Sequence, residues 1–392
     1  MPDRRDLDAD TLLIHGGPGP DPATGAVTPP IHPTSTFVRG QINDDAKYRY
    51  SRGANPTRDA LEGLLAKIEH GVEAAAFASG MAAVNAAMQL LSSGDHAIVG
   101  YDCYLTTYDI FTNDLPRYGI DTTVVDLTDV EAVQAAVRPN TRMIYIESPT
   151  NPLLDIVDLS AMAEIGQSAG AITVVDNTFA SPYCQNPIDF GIDLVVHSTT
   201  KYLGGHSDLL GGAVISRTPE LAAEIRERQY NQGAVPSAFD CWLLIRGIRT
   251  LGVRMRQHMV NAQAIAEWLE GRPGVTRVIY PGLPSHPGHE LASRQMPTGY
   301  SGMVSFEVEG GSEAARRVSE RTKLFLLATS LGGVESLIFP PTAWLESAPE
   351  LMAEIPGSPW AQHPGMIRLS VGIESSRDLI ADLEQALESL NE

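Results

Sequence analysis

The chain has 392 residues, of which 43% are hydrophobic and 19% charged, and its 48 acidic and 28 basic residues give a formal net charge of −20. This length suits two domains rather than one compact core, and the negative charge argues against nucleic acid or an anionic membrane surface as a partner. Because no long apolar run occurs and the N-terminus is polar and acidic, we expect no membrane span, no secretion signal and a cytoplasmic location.

The N-terminal 55 residues are rich in Pro, Gly and Thr, as in TGAVTPPIHPTSTF, and show little helical periodicity. They are predicted to form an extended arm rather than a domain. Helical spacing begins at Arg58 and places Leu61 and Leu65 on one face of a helix over residues 58–70. A second helix is predicted over about residues 80–91, because Ser79 can cap its N-terminus.

Short apolar runs then alternate with helical segments, which predicts βαβ units and a mostly parallel sheet. We predict buried strands in the runs HAIVG, TTVVD, RMIYIES, AITVVDN and DLVVHSTT. The helices between them are predicted in VEAVQAAV and LSAMAEIGQSAG.

The pattern changes after Leu243. A long helix is predicted in RTLGVRMRQHMVNAQAIAEWLE, and strands are predicted in RVIYPG, MVSFEVEG, KLFLLATSLGG and MIRLSVGIE. We therefore expect an arm over residues 1–55, a large α/β domain over residues 56–250 and a smaller α+β domain over residues 251–392.

Polar residues follow three of the predicted strands at regular intervals. Asn151 follows RMIYIES, Asp176 follows AITVV, and Lys201 follows DLVVHSTT, with 25 residues between successive members. In an open α/β sheet, ligands bind outside the carboxyl ends of the strands. We therefore expect these three side chains to converge on one crevice.

Pyridoxal phosphate requires such a set of residues. A lysine must form an imine with its aldehyde, and a carboxylate must pair with the pyridine nitrogen so that the ring withdraws electrons. Lys201 and Asp176 can supply these groups, and Asn151 can donate near the ring oxygen. The phosphate favours the free N–H groups of a helix N-terminus. Candidate phosphate-binding residues are Gly80, Met81, Ser198 and Thr200.

Each of these residues also has an ordinary structural interpretation. An aspartate after a strand is commonly a helix cap, and a lysine there is commonly solvated. Cys103, Cys184 and Cys241 have no metal-ligand spacing, so we expect free thiols and no metal site. No glycine-rich dinucleotide motif follows a strand and no P-loop motif is present, which argues against a nucleotide-binding protein.

Around Lys201, the sequence VVHSTTKYLGGHSDLLGG resembles the cysteine/methionine-metabolism family of pyridoxal-phosphate enzymes. The resemblance extends from about Thr11 to the C-terminus, through YRYSRGANPTR, ASGMAA, ESPTNP, VVDNTF, SLGGVES and IRLSVGIE. It implies an aspartate-aminotransferase-like (type I pyridoxal-phosphate) fold, in which a cofactor domain with a mostly parallel sheet is followed by a smaller α+β C-terminal domain. It also implies a homotetramer built from two tight dimers, in which the two subunits of each dimer share two active sites.

The resemblance assigns roles to the candidate residues. It makes Lys201 the Schiff-base lysine, Asp176 the partner of the pyridinium and Asn151 a contact of the ring hydroxyl. It assigns the phosphate to the residues Gly80, Met81, Ser198 and Thr200. It further implies that Tyr50 and Arg52 reach the phosphate and substrate of the neighbouring subunit's site, which would give the arm a function.

Three further residues match the substrate site of the family. Tyr104 corresponds to a tyrosine that stacks on the cofactor ring and assists proton transfer. Arg368 corresponds to an arginine that binds the substrate's α-carboxylate in a bidentate pair, and Ser330 flanks it. Without the resemblance, Arg368 would be interpreted as a solvated strand residue. A catalytically silent relative would be expected to lack Lys201, Asp176 or Arg368, and all three are present.

The chain departs from the family pattern at positions that distinguish its members. The glutamate that commonly precedes the SLGG serine in cystathionine γ-enzymes is replaced by Thr329. Asp109 stands where an arginine for a distal carboxylate is usual, and its charge would suit a distal ammonium group. Thr106 replaces the cysteine of methionine γ-lyases, and the stretch 342–366 lacks the usual γ-enzyme sequence. An alternative interpretation is that these differences are sequence drift in loops and have no effect on the substrate.

We therefore expect a pyridoxal-phosphate-dependent carbon–sulfur lyase acting on a small sulfur amino acid. Cystathionine β-lyase, which releases homocysteine, pyruvate and ammonia, is the first prediction. The alternative is a γ-acting relative: cystathionine γ-lyase, methionine γ-lyase, cystathionine γ-synthase or a homoserine-ester sulfhydrylase. TGAVTPPIHPTSTF favours this alternative, because it is more similar to the γ-enzymes.

Overall fold

The computed structural model describes residues 7–42, 45–346 and 362–391. Within these ranges the helices are α1 (Ala9–His15), α2 (Pro56–Ile68), α3 (Gly80–Met88), α4 (Leu105–Asp109), α5 (Leu115–Arg117), α6 (Val130–Ala136), α7 (Leu159–Ala169), α8 (Ser181–Cys184), α9 (Pro219–Gln232), α10 (Ala238–Ile248), α11 (Leu251–Leu269), α12 (His289–Gln295), α13 (Gly311–Arg321), α14 (Pro341–Glu346) and α15 (Ser376–Leu387). The strands are β1 (Glu73–Phe77), β2 (His96–Gly100), β3 (Asp121–Val125), β4 (Thr141–Glu147), β5 (Ile172–Asp176), β6 (Leu194–Ser198), β7 (Gly212–Ser216), β8 (Val275–Ile279), β9 (Met303–Val308), β10 (Leu326–Leu327), β11 (Leu337–Phe339) and β12 (Met366–Ser370). None of these helices is both long enough and apolar enough to cross a bilayer.

The larger sheet has seven strands within the described ranges, in the order β1-β7-β6-β5-β4-β2-β3. Neighbouring strands are parallel from β6 to β3, whereas β7 runs antiparallel to both of its neighbours. The prediction of a mostly parallel sheet is confirmed, and the five predicted strands correspond to β2 to β6. Parallel strands end at one edge of a sheet, so the residues that follow β4, β5 and β6 lie side by side.

The sequence pattern does not predict β1 and β7. Strand β1 is EAAAF, and alanine favours helices over strands. Strand β7 begins at Gly212, where a Cβ atom would lie 2.1 Å from the carbonyl oxygen of Ser79, so only glycine fits. This close packing brings the N-terminus of α3 to the carboxyl end of the neighbouring strand β6.

Side chains alternate between the two faces of the large sheet. On β4, Ile144 and Ile146 pack with the core beneath α6 and α7, whereas Tyr145 packs on the opposite face with residues of α3. The alternation of side chains along strands places Glu147 on the same face as Tyr145. Asp176 lies on this face too, because Val174, two residues earlier, packs there. Two carboxylates therefore end neighbouring strands on the α3 face.

The prediction of an extended arm does not hold for residues 9–15, which form α1. Asp8 caps this helix, and Leu13 is buried in the core cluster that contains α2. Arg256 on α11 binds the Asp10 carboxylate at 2.6 Å. The short amphipathic helix is stabilised by these contacts with distant segments rather than by a long periodic sequence. An isolated bridge between Thr36 and Tyr50 lies farther along the arm.

The smaller sheet has the order β10-β11-β12-β9-β8 and is covered by α11, α13 and α15. It contacts the large sheet beside the carboxyl end of β4, where the Ser305 hydroxyl donates to the carbonyl of Pro152 at 2.7 Å. Of the predicted strand KLFLLATSLGG, only Leu326–Leu327 is a strand, and the rest is irregular. The boundaries predicted at residues 55 and 250 stay predictions.

Candidate active site

The residues expected at the strand ends are joined to the small sheet by hydrogen bonds. Arg368 on β12 donates from Nη1 to Oδ1 of Asn151 at 2.8 Å and from Nη2 to the carbonyl of Ser330 at 3.1 Å. The Ser330 hydroxyl accepts a hydrogen bond from Nζ of Lys201 at 2.6 Å. Asp176 is buried near enough to Lys201 for its charge to act on the amine. The two sheets therefore build one site between them.

Lys201 is half-buried, and its environment favours the neutral amine. Burial, and then the positive charge of Arg368, lower the pKa of Lys201 to about 8, while the carboxylate of Asp176 acts in the opposite direction. A lysine with this pKa is unprotonated in an appreciable fraction of molecules near neutral pH. Only the neutral amine can attack an aldehyde or accept a proton.

Arg368 is a buried cation with an unused donor. Its side chain is 5% exposed, its guanidinium carbon lies 5.3 Å from the centre of the Phe339 ring, and its Nε has no hydrogen-bond partner among the described residues. Burial lowers the pKa of Arg368 to about 10, so the side chain stays charged at neutral pH. A buried guanidinium without a carboxylate partner suits the binding of a carboxylate from a ligand.

Asp176 and Glu147 are paired in register at the ends of β5 and β4. Both are buried, at 9% and 5% exposure, and burial raises the pKa of each. Asp176 accepts the backbone N–H of Thr178 at 3.0 Å. Glu147 is not among the site residues predicted from the sequence. An acidic residue that closes an otherwise apolar strand, as Asp176 does in AITVVD, is the signal that would have identified it.

The N-terminus of α3 lies directly against the end of β6. A Cβ atom on Gly80 would stand 2.8 Å from Cβ of Ser198, so only glycine allows this approach. Ser79 caps the helix by accepting the N–H of Ala82 at 3.1 Å. The first N–H groups of the helix, which include that of Met81, have no partner within the helix and are available to an anion.

Thr200 has a structural role in the loop that follows β6. Its hydroxyl donates to the carbonyl of Gly211 at 3.2 Å and accepts the N–H of the same residue at 3.0 Å. The assignment of Thr200 to the phosphate therefore stays a prediction, and a ligand there would share a hydroxyl that already has two partners. The Ser198 hydroxyl lies next to the position of the missing Cβ of Gly80.

Tyr104 begins α4, and its ring is free to contact a ligand. The side chain is 44% exposed, while its backbone N–H donates to Oε2 of Glu147 at 2.9 Å. Two residues earlier, the buried Asp102 accepts the N–H of Leu153 at 3.3 Å. These two carboxylates fix the segment that carries Tyr104 to the end of β4 and to the loop that contains Asn151.

The positions predicted to select the substrate are less closely connected. Asp109, at the end of α4, accepts a hydrogen bond from Nδ2 of Asn113 at 2.7 Å, so its carboxylate already has a partner. Thr329 is exposed and precedes Ser330, whose φ of +83° lies in the left-handed region. Of the divergent stretch 342–366, residues 347–361 lie outside the described ranges. The selectivity expected of Asp109 and Thr329 stays a prediction.

Tyr50 and Arg52 lie in a loop that contacts Thr36, Arg58 and Tyr230. Tyr50 is 49% exposed. Arg52 stacks over the ring of Tyr230, with 4.4 Å between its guanidinium carbon and the ring centre, and donates to the Tyr230 carbonyl at 3.1 Å. The buried Arg58 donates to the carbonyl of Arg52 at 3.2 Å and so helps to fix this loop. The loop presents both candidate side chains at the surface.

The residues of the site fit pyridoxal phosphate. Lys201 has the lowered pKa that imine formation needs, and Asp176 is a buried carboxylate that a pyridinium would neutralise. The glycine-started N-terminus of α3 offers N–H groups to a phosphate. The unpartnered Nε of Arg368 is a donor that an amino-acid carboxylate could use.

The chain is similar to known proteins over nearly its whole length. A family model described as Cys/Met metabolism PLP-dependent enzyme matches residues 10–388. The cystathionine gamma-synthase of Mycobacterium bovis is 48% identical over 379 residues, which cover 96% of each chain. The cystathionine gamma-lyase of Bacillus subtilis is 48% identical over 383 residues, covering 97% of this chain and 99% of the relative. The cystathionine beta-lyase of Lactococcus lactis is 46% identical over 380 residues, covering 96% and 98%.

Solved structures agree with the sequence matches. The crystal structure of metB from Corynebacterium glutamicum has a TM-score of 0.94 and 44% sequence identity, with 99% of this chain and 100% of that chain covered. The predicted fold and family are confirmed. Relatives with three different activities match at nearly the same identity, so the β-lyase prediction is not singled out.

Proposed function

Because the chain belongs to the family of Cys/Met metabolism PLP-dependent enzymes, whose cofactor is pyridoxal 5′-phosphate, we propose that it cleaves the carbon–sulfur bond of cystathionine by β-elimination. The observation that carries the proposal is the chain of contacts Asn151–Arg368–Ser330–Lys201. It places a donor for a substrate carboxylate beside an amine of lowered pKa. When bound, the cofactor supplies an aldehyde carbon and an electron-poor ring that stabilises negative charge at the substrate Cα.

Arg368 would fix the substrate by its α-carboxylate. Its guanidinium is oriented by Asn151 and by the Ser330 carbonyl, so the remaining N–H groups are held in place before a ligand arrives. A bidentate pair with a carboxylate fixes direction as well as distance. This orientation would present the Cα–H bond of the substrate towards Nζ of Lys201.

Lys201 would act as the general base at Cα. The Ser330 hydroxyl holds Nζ near Arg368, and burial keeps the amine partly neutral. Asp176 would stay ionised opposite the ring nitrogen and keep that nitrogen protonated. In β-elimination the electron pair freed at Cα forms the Cα–Cβ double bond and the thiolate of homocysteine leaves. The remaining three-carbon product hydrolyses to pyruvate and ammonia.

One feature of the sequence supports β-elimination over the γ-reactions: Thr329 stands where cystathionine γ-enzymes commonly have glutamate. The carboxylate of Asp109 would suit the distal ammonium of cystathionine and so supports cystathionine as the substrate. The test is product analysis with cystathionine as substrate and Lys201→Ala as the inactive control. Pyruvate with homocysteine is expected, whereas 2-oxobutyrate with cysteine would contradict β-elimination.

A γ-acting enzyme is the second candidate, and the relatives favour it. The γ-synthase and the γ-lyase are each 48% identical to this chain, against 46% for the β-lyase. In that case Lys201 would remove a proton from Cβ as well as from Cα. Incubation with O-acetylhomoserine and cysteine, followed by an assay for cystathionine, tests the synthase. Methionine, assayed for 2-oxobutyrate, tests the methionine γ-lyase.

The assembly expected from the sequence, a homotetramer with shared sites, also belongs to this proposal. Tyr50 and Arg52 lie on the surface of a loop that the buried Arg58 holds by the carbonyls of Ser51 and Arg52. Such a fixed basic loop suits a phosphate in a neighbouring copy. Mixed samples of Arg52→Ala and Lys201→Ala chains should regain activity, because one of the two shared sites in each mixed dimer would then be complete; no recovery would contradict sharing.

A further inference from the structure

Glu147 is the last residue of β4 and lies opposite Asp176 in the register of the sheet. Neighbouring strands are about 4.8 Å apart, so two carboxylates on the same face of adjacent strand ends are close. Both are almost fully buried. Asp176 has the role of pairing with the cofactor nitrogen in the proposed function. Glu147 is then a second buried carboxylate, and the proposed function assigns it no role.

Among the described residues, the Glu147 side chain has a hydrogen bond to Tyr104. Its Oε2 accepts the backbone N–H of Tyr104 at 2.9 Å, and the carbonyl of Tyr104 accepts the N–H of Tyr108 at 3.0 Å. Tyr104 begins α4 with no side-chain cap. The contact therefore fixes the start of the helix, and with it the direction from which the exposed Tyr104 ring reaches the site.

The electrostatic surroundings of Glu147 are dominated by acids. The titratable and charged groups that face it are Asp176 on β5, Asp102 and Cys103 before α4, Tyr145 on its own strand and Arg368 on β12. Two adjacent buried carboxylates cannot both ionise without a large cost. Burial, and then the charge of Asp176, raise the pKa of Glu147 well above its ordinary value.

The proton shared by the two carboxylates belongs on Glu147. Asp176 accepts the Thr178 N–H and would face the positive pyridinium, both of which favour its ionised form. Arg368, the nearest cation on the small sheet, is engaged by Asn151 and Ser330. Glu147 needs only one acceptor oxygen for its bond to Tyr104, and a neutral carboxyl group provides it.

We propose that Glu147 is a positioning residue which, as a neutral acid, holds Tyr104 at the start of α4 and leaves Asp176 as the ionised member of the pair. This inference rests on the proposed function, because it takes Asp176 and Tyr104 as the residues that contact the cofactor. It assigns to the buried acid two effects that can be measured separately. One is the position of Tyr104, and the other is the protonation of the cofactor site.

The protonation is tested by Glu147→Gln, which is neutral at every pH and keeps an oxygen for the Tyr104 N–H. The visible absorption of the cofactor-loaded protein is titrated with pH, and the cofactor affinity of the cofactor-free protein is measured. In Glu147→Gln, the midpoint of the absorption titration should stay within about 0.3 pH units of the wild-type midpoint. The affinity for the cofactor should stay within about threefold of the wild-type affinity. A midpoint that moves by about one pH unit or more would show a charged Glu147 and overturn the inference. Glu164→Gln, an exposed change on α7, is the matched control.

The positioning is tested by a double-mutant cycle. Glu147→Leu removes the acceptor and should lower kcat/KM about tenfold or more, because a buried N–H loses its partner. In a Tyr104→Ala background the same substitution should cost less than about twofold, since the two residues act as one unit. Equal costs in both backgrounds, or no cost in the wild type, would overturn the inference. A wild type that binds no cofactor, or a Lys201→Ala variant that keeps turnover, would instead contradict the proposed function.

Discussion

Asp102→Asn should stabilise the protein at neutral and alkaline pH while leaving its stability near pH 4 almost unchanged. Asp102 is buried, and its Oδ1 has no hydrogen-bond partner among the described residues. Burial raises the pKa of Asp102 to about 7 from an ordinary 3.8, although hydrogen bonds from Thr150 and Leu153 act in the opposite direction. The asparagine keeps an oxygen for the Leu153 N–H and carries no charge at any pH.

The sign and size of the effect follow from the proton that the folded state retains. Between about pH 4 and pH 7 the folded protein keeps a proton on Asp102 that the unfolded chain has released, so stability falls as the pH rises through this interval. A difference of about three pH units corresponds to about 4 kcal/mol, all of which is lost above pH 7. The variant should therefore exceed the wild type by up to about 4 kcal/mol at pH 8.

The assay is urea denaturation of the cofactor-free protein at several pH values and one protein concentration, because association also changes apparent stability. The measured quantity is the difference in free energy of unfolding between variant and wild type. It should grow steadily from pH 4 to pH 7 and then level off. The exposed Glu164→Gln variant should give a flat difference. A flat difference for Asp102→Asn as well would refute the argument that burial holds the proton.

Substitutions at three further positions, Arg368, Ser330 and Gly80, test the substrate and cofactor sites. Arg368→Leu should lower kcat/KM roughly 100-fold through a higher KM. Arg368→Lys should recover only part of the lost kcat/KM, because an ammonium lacks the planar pair of donors. Equal losses of kcat/KM in the two variants, measured by steady-state kinetics, would contradict this. Ser330→Ala removes an acceptor of the protonated Lys201 amine, so the pKa of Lys201 should fall further below about 8, which the pH dependence of cofactor attachment would show. Gly80→Val should weaken cofactor binding at least about tenfold in an equilibrium titration, whereas Gly63→Ala, at a position with open space around its Cβ, should not.

Much of the large sheet could be predicted because its central strands are buried on both faces. Runs such as HAIVG and AITVVD are mostly apolar and do not alternate with exposed polar residues, and this pattern is typical of parallel strands. EAAAF and GAVIS carry a weaker signal, since alanine and glycine do not favour strands and the pairing of β1 with β7 depends on contacts far apart in sequence. The helix α1 was missed for a similar reason, because its stability comes from packing against α2 and α11.

The positions of the site residues were predictable where they follow from the ends of the strands, whereas the roles of these residues stay predictions. Asn151, Asp176 and Lys201 follow from strand spacing alone. Arg368 and Ser330 do not, because only tertiary packing brings β12 and the loop after β10 to Lys201. The hydroxyl of Thr200 bonds to Gly211 in the structure, so its predicted contact with the phosphate stays a prediction. Glu147 was overlooked because its partner, the Tyr104 N–H, lies 43 residues earlier.

The hydrogen bond between Lys201 and Ser330 joins two distant segments of the chain whose sequences could otherwise vary independently. A protein truncated before β9 would still contain all seven strands of the large sheet, with Lys201, Asp176 and Asn151. It would lack Arg368 and Ser330, and therefore the groups proposed to recognise the substrate's α-carboxylate. If these residues act as proposed, exchange of the C-terminal segment between homologues should change the substrate preference, since it replaces the proposed recognition surface while Lys201 and Asp176 are inherited unchanged.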